Sequence, residues 1–139
     1  MSRKYARESA FRLLYGFCVA EKADPVLREA FKSAPDMTAD DATYFDRLTD
    51  GVAEKYDELA EAVKNATEGY AFERIYTIDR ALLLLAAYEL KHCPDVGAAV
   101  IVDEAVGLAD QYSAEKSASF VNGVLAKLIP VLRPVGTDT

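Results

Sequence analysis

Eight consecutive apolar residues, Ala81 to Tyr88 (ALLLLAAY), limit what this chain can become. Thr77 and Asp79 stand before the run and suit a helix start; Lys91, His92 and Pro94 follow it and suit a helix end. As a helix it is apolar on nearly every face, so other helices must cover all of it. It is too short to cross a bilayer, which takes about 20 residues. The expectation is a helical bundle with this segment at its centre, in a protein that is soluble and cytoplasmic.

The rest of the chain agrees, because no stretch alternates apolar and polar residues long enough for a strand while helical spacing recurs throughout. Ala10, Leu13, Leu14, Phe17 and Cys18 share a face and predict a helix from about Arg3 to Lys22. Asp24 caps a short helix that begins at Pro25 and ends near Ser33. The longest helix starts at Thr38 and runs to about Asn65, with Gly69 a further break. Its seam is Phe45, Leu48, Val52, Tyr56, Leu59 and Val63. The segment YAFERIY predicts a short helical turn, and Thr77 caps the central helix. A helix over Val96 to Gln111 turns Val100, Ile101, Ala105, Leu108 and Ala109 inward. Ser113, helped by Glu115, caps the last helix, whose stripe is Phe120, Val121, Val124, Leu125, Leu128, Ile129 and Leu132. RPVGTDT is read as a frayed tail. The sum is a single all-α domain over residues 1–139, a compact bundle of about seven helices.

Catalytic chemistry finds little support. His92 is the only histidine, so no two-histidine metal site exists, and its place at a helix end suits a capping role. Gly51, Gly97, Gly107 and Gly123 stand alone, without a phosphate-binding loop. The pairs Asp40–Asp41 and Asp103–Glu104 point about 100° apart on a helix and do not converge. Cys18 and Cys93 have neither disulfide nor metal spacing and read as buried free thiols. The reading is a binding protein without cofactor or metal, not an enzyme.

Charge shows where binding could occur. The chain carries 16 Lys and Arg against 23 Asp and Glu, yet its first twelve residues hold Arg3, Lys4, Arg7 and Arg12 against Glu8 alone. Arg3, Lys4 and Arg7 are close on a helix and match the footprint of phosphate contact. In SASFVNGVLAKL, Gly123 costs a helix about 1 kcal/mol relative to Ala. It is expected to let a neighbouring helix pack tightly, the alternative being close approach by a ligand.

Three stretches, ARESAFRLLY, IYTIDRALLLLAAYEL and VIVDEAVGLADQYSAEKSASFVNGVLAKL, resemble the NusB family of bacterial transcription antitermination factors. The likeness runs from about Arg3 to Leu132. It implies seven helices in two subdomains, about residues 1–68 and 69–133, with a tail at 134–139. It also implies binding, together with the ribosomal protein NusE, to the boxA element of ribosomal RNA leader transcripts within an RNA polymerase antitermination complex. Residue by residue, the resemblance assigns Arg3, Lys4 and Arg7 to the arginine-rich RNA-binding motif. It puts Ser117 and Phe120 near the RNA path, and Tyr15, Glu73 and Asp79 at or near the NusE and RNA surfaces. Lys116 stands where the family is often acidic and would add a phosphate contact. Leu84 replaces a common basic residue and suggests an exposed apolar patch, hence a possible homodimer. The alternative function is a helical protein–protein adaptor or homodimer with little RNA binding of its own.

Overall fold

The computed structural model describes residues 3–67 and 71–134, and their regular structure is entirely helical. The elements are α1 (Lys4–Ala20), α2 (Pro25–Lys32), α3 (Ala39–Glu54), α4 (Tyr56–Ala66), a 3-10 turn (Phe72–Arg74), α5 (Thr77–His92), α6 (Ala98–Tyr112) and α7 (Ser117–Leu132). The Gly69 break and residues 135–139 of the tail lie outside the described residues.

α5 is the axis. Every residue from Ala81 to Ala87 is buried, and α1, α3, α4, α6 and α7 all pack on it. Four leucines in a row, each contributing about 1.5–3 kcal/mol when fully buried, make this helix the main apolar anchor. The buried side chains form one continuous cluster from α1 to α7.

Two caps follow from local chemistry alone. The Asp24 carboxylate accepts from the Leu27 N–H at 2.9 Å ahead of Pro25, and Thr38 Oγ1 accepts from Asp41 N–H at 3.1 Å. Tertiary packing overrides the sequence expectation elsewhere. The single long helix is two, because the chain leaves helical geometry at Lys55 (φ −104°, ψ 19°). That bend changes partners: α3 lies on α1 and α5, whereas α4 lies on α5 and α7. Tyr56, just past the bend, meets Phe17 of α1 edge-on at 6.2 Å.

The caps of α5 and α7 also differ from expectation. Tyr76, not Thr77, precedes α5, and no side chain caps it. Ser113 closes α6, and α7 begins four residues later at Ser117. Val100 is 49% exposed rather than inward, because α6 starts at Ala98 and turns it outward. Arg133, read as part of a frayed tail, is buried. Its guanidinium donates to the carbonyls of Glu89, Leu90, Cys93 and Val96 at 2.7–3.2 Å. It thereby caps the C-terminal end of α5, where cationic charge meets the negative end of the dipole.

The remaining singled-out residues have plain roles. His92 Nε2 lies 2.8 Å from Glu58 on α4, and its ring stacks on Tyr88 at 5.1 Å. Cys93 is fully buried and Cys18 only partly, and burial raises both thiol pKa values. Among the described residues no His, Cys, Asp and Glu group could hold a metal, and no helix is long and apolar enough to cross a membrane.

Candidate nucleic-acid interface

The basic opening segment divides as α1 forms. Arg7 turns inward: it is 5% exposed, and its Nε–H lies 2.9 Å from both carboxylate oxygens of Glu89 on α5. Glu89 also accepts from the Tyr44 hydroxyl of α3. Burial lowers the Arg7 pKa, but the hydrogen bond and charge of Glu89 outweigh it and hold the guanidinium above its ordinary value. The Tyr44 hydroxyl is pushed up, first by burial and then by the Glu89 carboxylate.

Arg3 lies over the Tyr44 ring, 4.2 Å from its centroid, and reaches Asp95 at 3.5 Å. Arg47 of α3 reaches the other oxygen of Asp95 at 3.6 Å. Asp40, Asp41 and Glu104 join these groups around a cavity of about 880 Å³. Its carboxylates offset its guanidiniums, so this side of α1 is no cationic surface.

Lys4, Glu8 and Arg12 occupy a different face, at steps of four. Lys4 and Arg12 are exposed. Glu8 accepts from the Tyr112 hydroxyl at the end of α6, and the Phe11 and Tyr112 rings sit 5.3 Å apart. Glu8 is the main cause of the raised Tyr112 pKa, burial the next, with Arg12 opposing them. These contacts hold Glu8 and Phe11 of α1 against Tyr112, the last residue of α6, and the connection that follows carries exposed Lys116, while the Arg12 guanidinium lies over Phe31 of α2 at 5.3 Å.

That connection forms one wall of a second cavity, of about 440 Å³, lined by Ala114, Glu115, Lys116, Ser117 and Phe120 and, from the opposite segment, Arg74, Ile75, Tyr76 and Asp79. Asp79 holds the two walls together. It is 3% exposed; one carboxylate oxygen accepts from Ser113 Oγ at 2.7 Å and the other from Ser117 Oγ at 2.8 Å. Of the residues tied to RNA by resemblance, Lys116 and Phe120 line this cavity, while Ser117 is 3% exposed and spends its hydroxyl on Asp79.

Tyr15, 38% exposed, and Glu73, exposed in the 3-10 turn, both lie at the surface, whereas Asp79 lies inside. The Glu73 carbonyl accepts from Arg80 at 3.3 Å, whose guanidinium sits over Phe72. Leu84 is 1% exposed, so the expected apolar patch does not exist there; the packing of α5 covers it. No neighbouring helix presses on Gly123 either, since a methyl group placed there meets nothing within 4 Å. Among the described glycines, Gly51 has a packing reason, since such a methyl would fall 2.2 Å from the Tyr88 ring.

Sequence reasoning passed over Glu89, Arg133, Arg74 and Tyr76. A signal existed for Glu89: a carboxylate immediately after ALLLLAAY, on a helix apolar all round, requires a buried cation or donor.

The NusB family model matches residues 4–130. The chain is 36% identical over 128 residues to the transcription antitermination protein NusB of Bacillus subtilis, covering 92% of this chain and 95% of that one. It is 35% identical over 137 residues to the NusB of Sorangium cellulosum, covering 99% and 98%. The fold matches T. maritima NusB with a TM-score of 0.88 at 24% identity, covering 99% of this chain and 96% of that chain. It also matches a structure of antitermination factors NusB and NusE in complex with dsRNA, with a TM-score of 0.84 at 24% identity, covering 93% and 96%.

Proposed function

The chain belongs to the NusB family, and on that premise we propose that it is an RNA-binding antitermination factor acting with NusE. Its RNA is the boxA element of ribosomal leader transcripts, and its effect is on elongation by RNA polymerase. It carries out no catalysis.

The observation that carries this reading is the Glu8–Tyr112 contact, which brings the face of α1 that bears exposed Lys4 and Arg12 against the end of α6, just ahead of the connection with Lys116. Lys4 and Lys116 neutralise phosphates, and Phe120 offers a ring to an unstacked base, while Arg3, held by Asp95, does not join them. Arg7 and Ser117 serve RNA indirectly: Arg7 pins α1 to α5 through Glu89, and Ser117 fixes the start of α7 through Asp79. Tyr15 and Glu73 belong to the NusE surface, with Asp79 as its internal support. An acidic body suits a basic ribosomal protein.

The test is a titration of boxA RNA and a scrambled control at two salt concentrations, with and without NusE. Binding is expected to be weak alone and tighter with NusE. Lys4→Ala and Lys116→Ala should each reduce the salt slope by about 0.7, the value for one single-strand phosphate contact. Equal affinity for both RNAs, with and without NusE, refutes the proposal.

A further inference from the structure

We propose that Tyr76 and Arg74 complete the cavity at the start of α7 as a pocket for one unstacked base of single-stranded RNA, together with an adjoining phosphate. The inference rests on the RNA-binding reading above and names residues that the family resemblance did not supply.

The local backbone explains why these two side chains face outward. Ile75 is extended (φ −68°, ψ 136°), so its side chain points away from those of its neighbours. Ile75 is 4% exposed and anchors the segment in the core. Its neighbours Arg74 and Tyr76 are thereby turned to solvent, and both line the cavity. Tyr76 is 63% exposed, a large apolar ring that folding alone leaves uncovered.

The opposite wall brings Lys116 and Phe120 from the α6–α7 connection and α7. The cavity thus presents aromatic rings from two segments and exposed cations, Arg74 and Lys116, against two acidic groups, exposed Glu115 and buried Asp79, whose carboxylate is taken up by Ser113 and Ser117. Neither Arg74 nor Lys116 forms an ion pair among the described residues. Rings that stack plus cations that hold phosphate are what single-stranded nucleic acid requires. The volume of about 440 Å³ lies in the ordinary range for a small organic group. The hydrogen bonds of Asp79 to Ser113 and Ser117 tie the walls together, so the opening does not have to be assembled on binding.

The experiment uses the full chain with NusE and single-stranded boxA RNA carrying 2-aminopurine at one position at a time. Fluorescence at one position should drop on binding, because stacking quenches the probe. Tyr76→Ala should abolish that drop and weaken binding about tenfold, within the range of one base–aromatic stack. Tyr76→Phe should keep both, and Arg74→Ala should flatten the salt slope by about 0.7. Melting temperatures of the Tyr76 variants should match the parent, since the ring is exposed. If the parent binds RNA and Tyr76→Ala keeps the quench and the affinity, the pocket is refuted while the antitermination reading stands. If the parent binds no RNA even with NusE, both are refuted.

Discussion

Replacing Arg7 with methionine separates a structural arginine from a phosphate-binding one. In the folded chain Arg7 and Glu89 side chains are 6% and 2% exposed, with Nε 2.9 Å from both carboxylate oxygens. Arg7→Met keeps most of the side-chain volume but leaves Glu89 buried with only the Tyr44 hydroxyl. Removing one partner of a buried pair costs about 3–5 kcal/mol, because the other charge stays out of water uncompensated. At about 3 °C per kcal/mol for a domain of this size, the melting temperature should fall by about 9–15 °C. The triple change Arg7→Met, Glu89→Met, Tyr44→Phe removes every member of the network and should recover to within about 1–2 kcal/mol of the parent. Thermal and urea unfolding followed by circular dichroism give both numbers. RNA titration at a temperature where the variant is still folded supplies the second readout, and its salt slope should equal the parent's. A melting temperature within about 2 °C of the parent, combined with a flatter salt slope, would refute the internal role and return Arg7 to the RNA surface.

Arg133→Ala uncovers four carbonyls at the end of α5 and should destabilise the fold by about 2–4 kcal/mol, read from urea unfolding. Gly123→Ala meets open space inside α7 and should stabilise by about 1 kcal/mol, whereas Gly51→Ala must displace the Tyr88 ring and should lower the melting temperature. The Glu58 carboxyl is held below its usual pKa of 4.5 by hydrogen bonds from His92 and then Lys91. A depressed carboxylate stabilises the fold above its unfolded pKa and loses that contribution as pH falls through the lower folded value. Unfolding curves of the parent and Glu58→Gln should therefore differ at pH 6 by only a few tenths of a kcal/mol, given Glu58's exposure, and should converge near pH 3.

The centre of the fold was legible because Ala81–Ala87 leave a helix no polar side to expose. The caps at Asp24 and Thr38 were legible because their donors lie three residues away. What escaped the sequence depends on partners far along the chain. The helix bends at Lys55 without a proline or glycine there, because its second half packs on different helices from its first. Arg7 and Glu89 are 82 residues apart, and a basic cluster looks the same in sequence whether its members face water or a buried acid. Asp79 read as an ordinary first-turn acid, since its serines come 34 and 38 residues later. The candidate interface was half legible for the same reason: Lys116 and Phe120 were found through resemblance, while Tyr76 and Arg74 gain meaning only when the 3-10 turn and the α6–α7 connection meet.

This division of the arginines bears on how the chain could hold a polyanion. Arg7 is consumed by Glu89, and Arg3 shares Asp95 with Arg47. Lys4, Arg12, Arg74 and Lys116 are exposed on a body whose formal charge is −7. Each phosphate contact contributes about 0.7 to the salt slope on a single strand, so this handful of cations yields a shallow dependence and modest affinity. Electrostatics of that size positions an RNA without discriminating among sequences, because phosphates are alike. Selectivity then has to come from base contacts and from a second protein that adds surface. On the proposed function, the aromatic cavity at α7 would supply the first, and the acidic body would offer a basic partner the second.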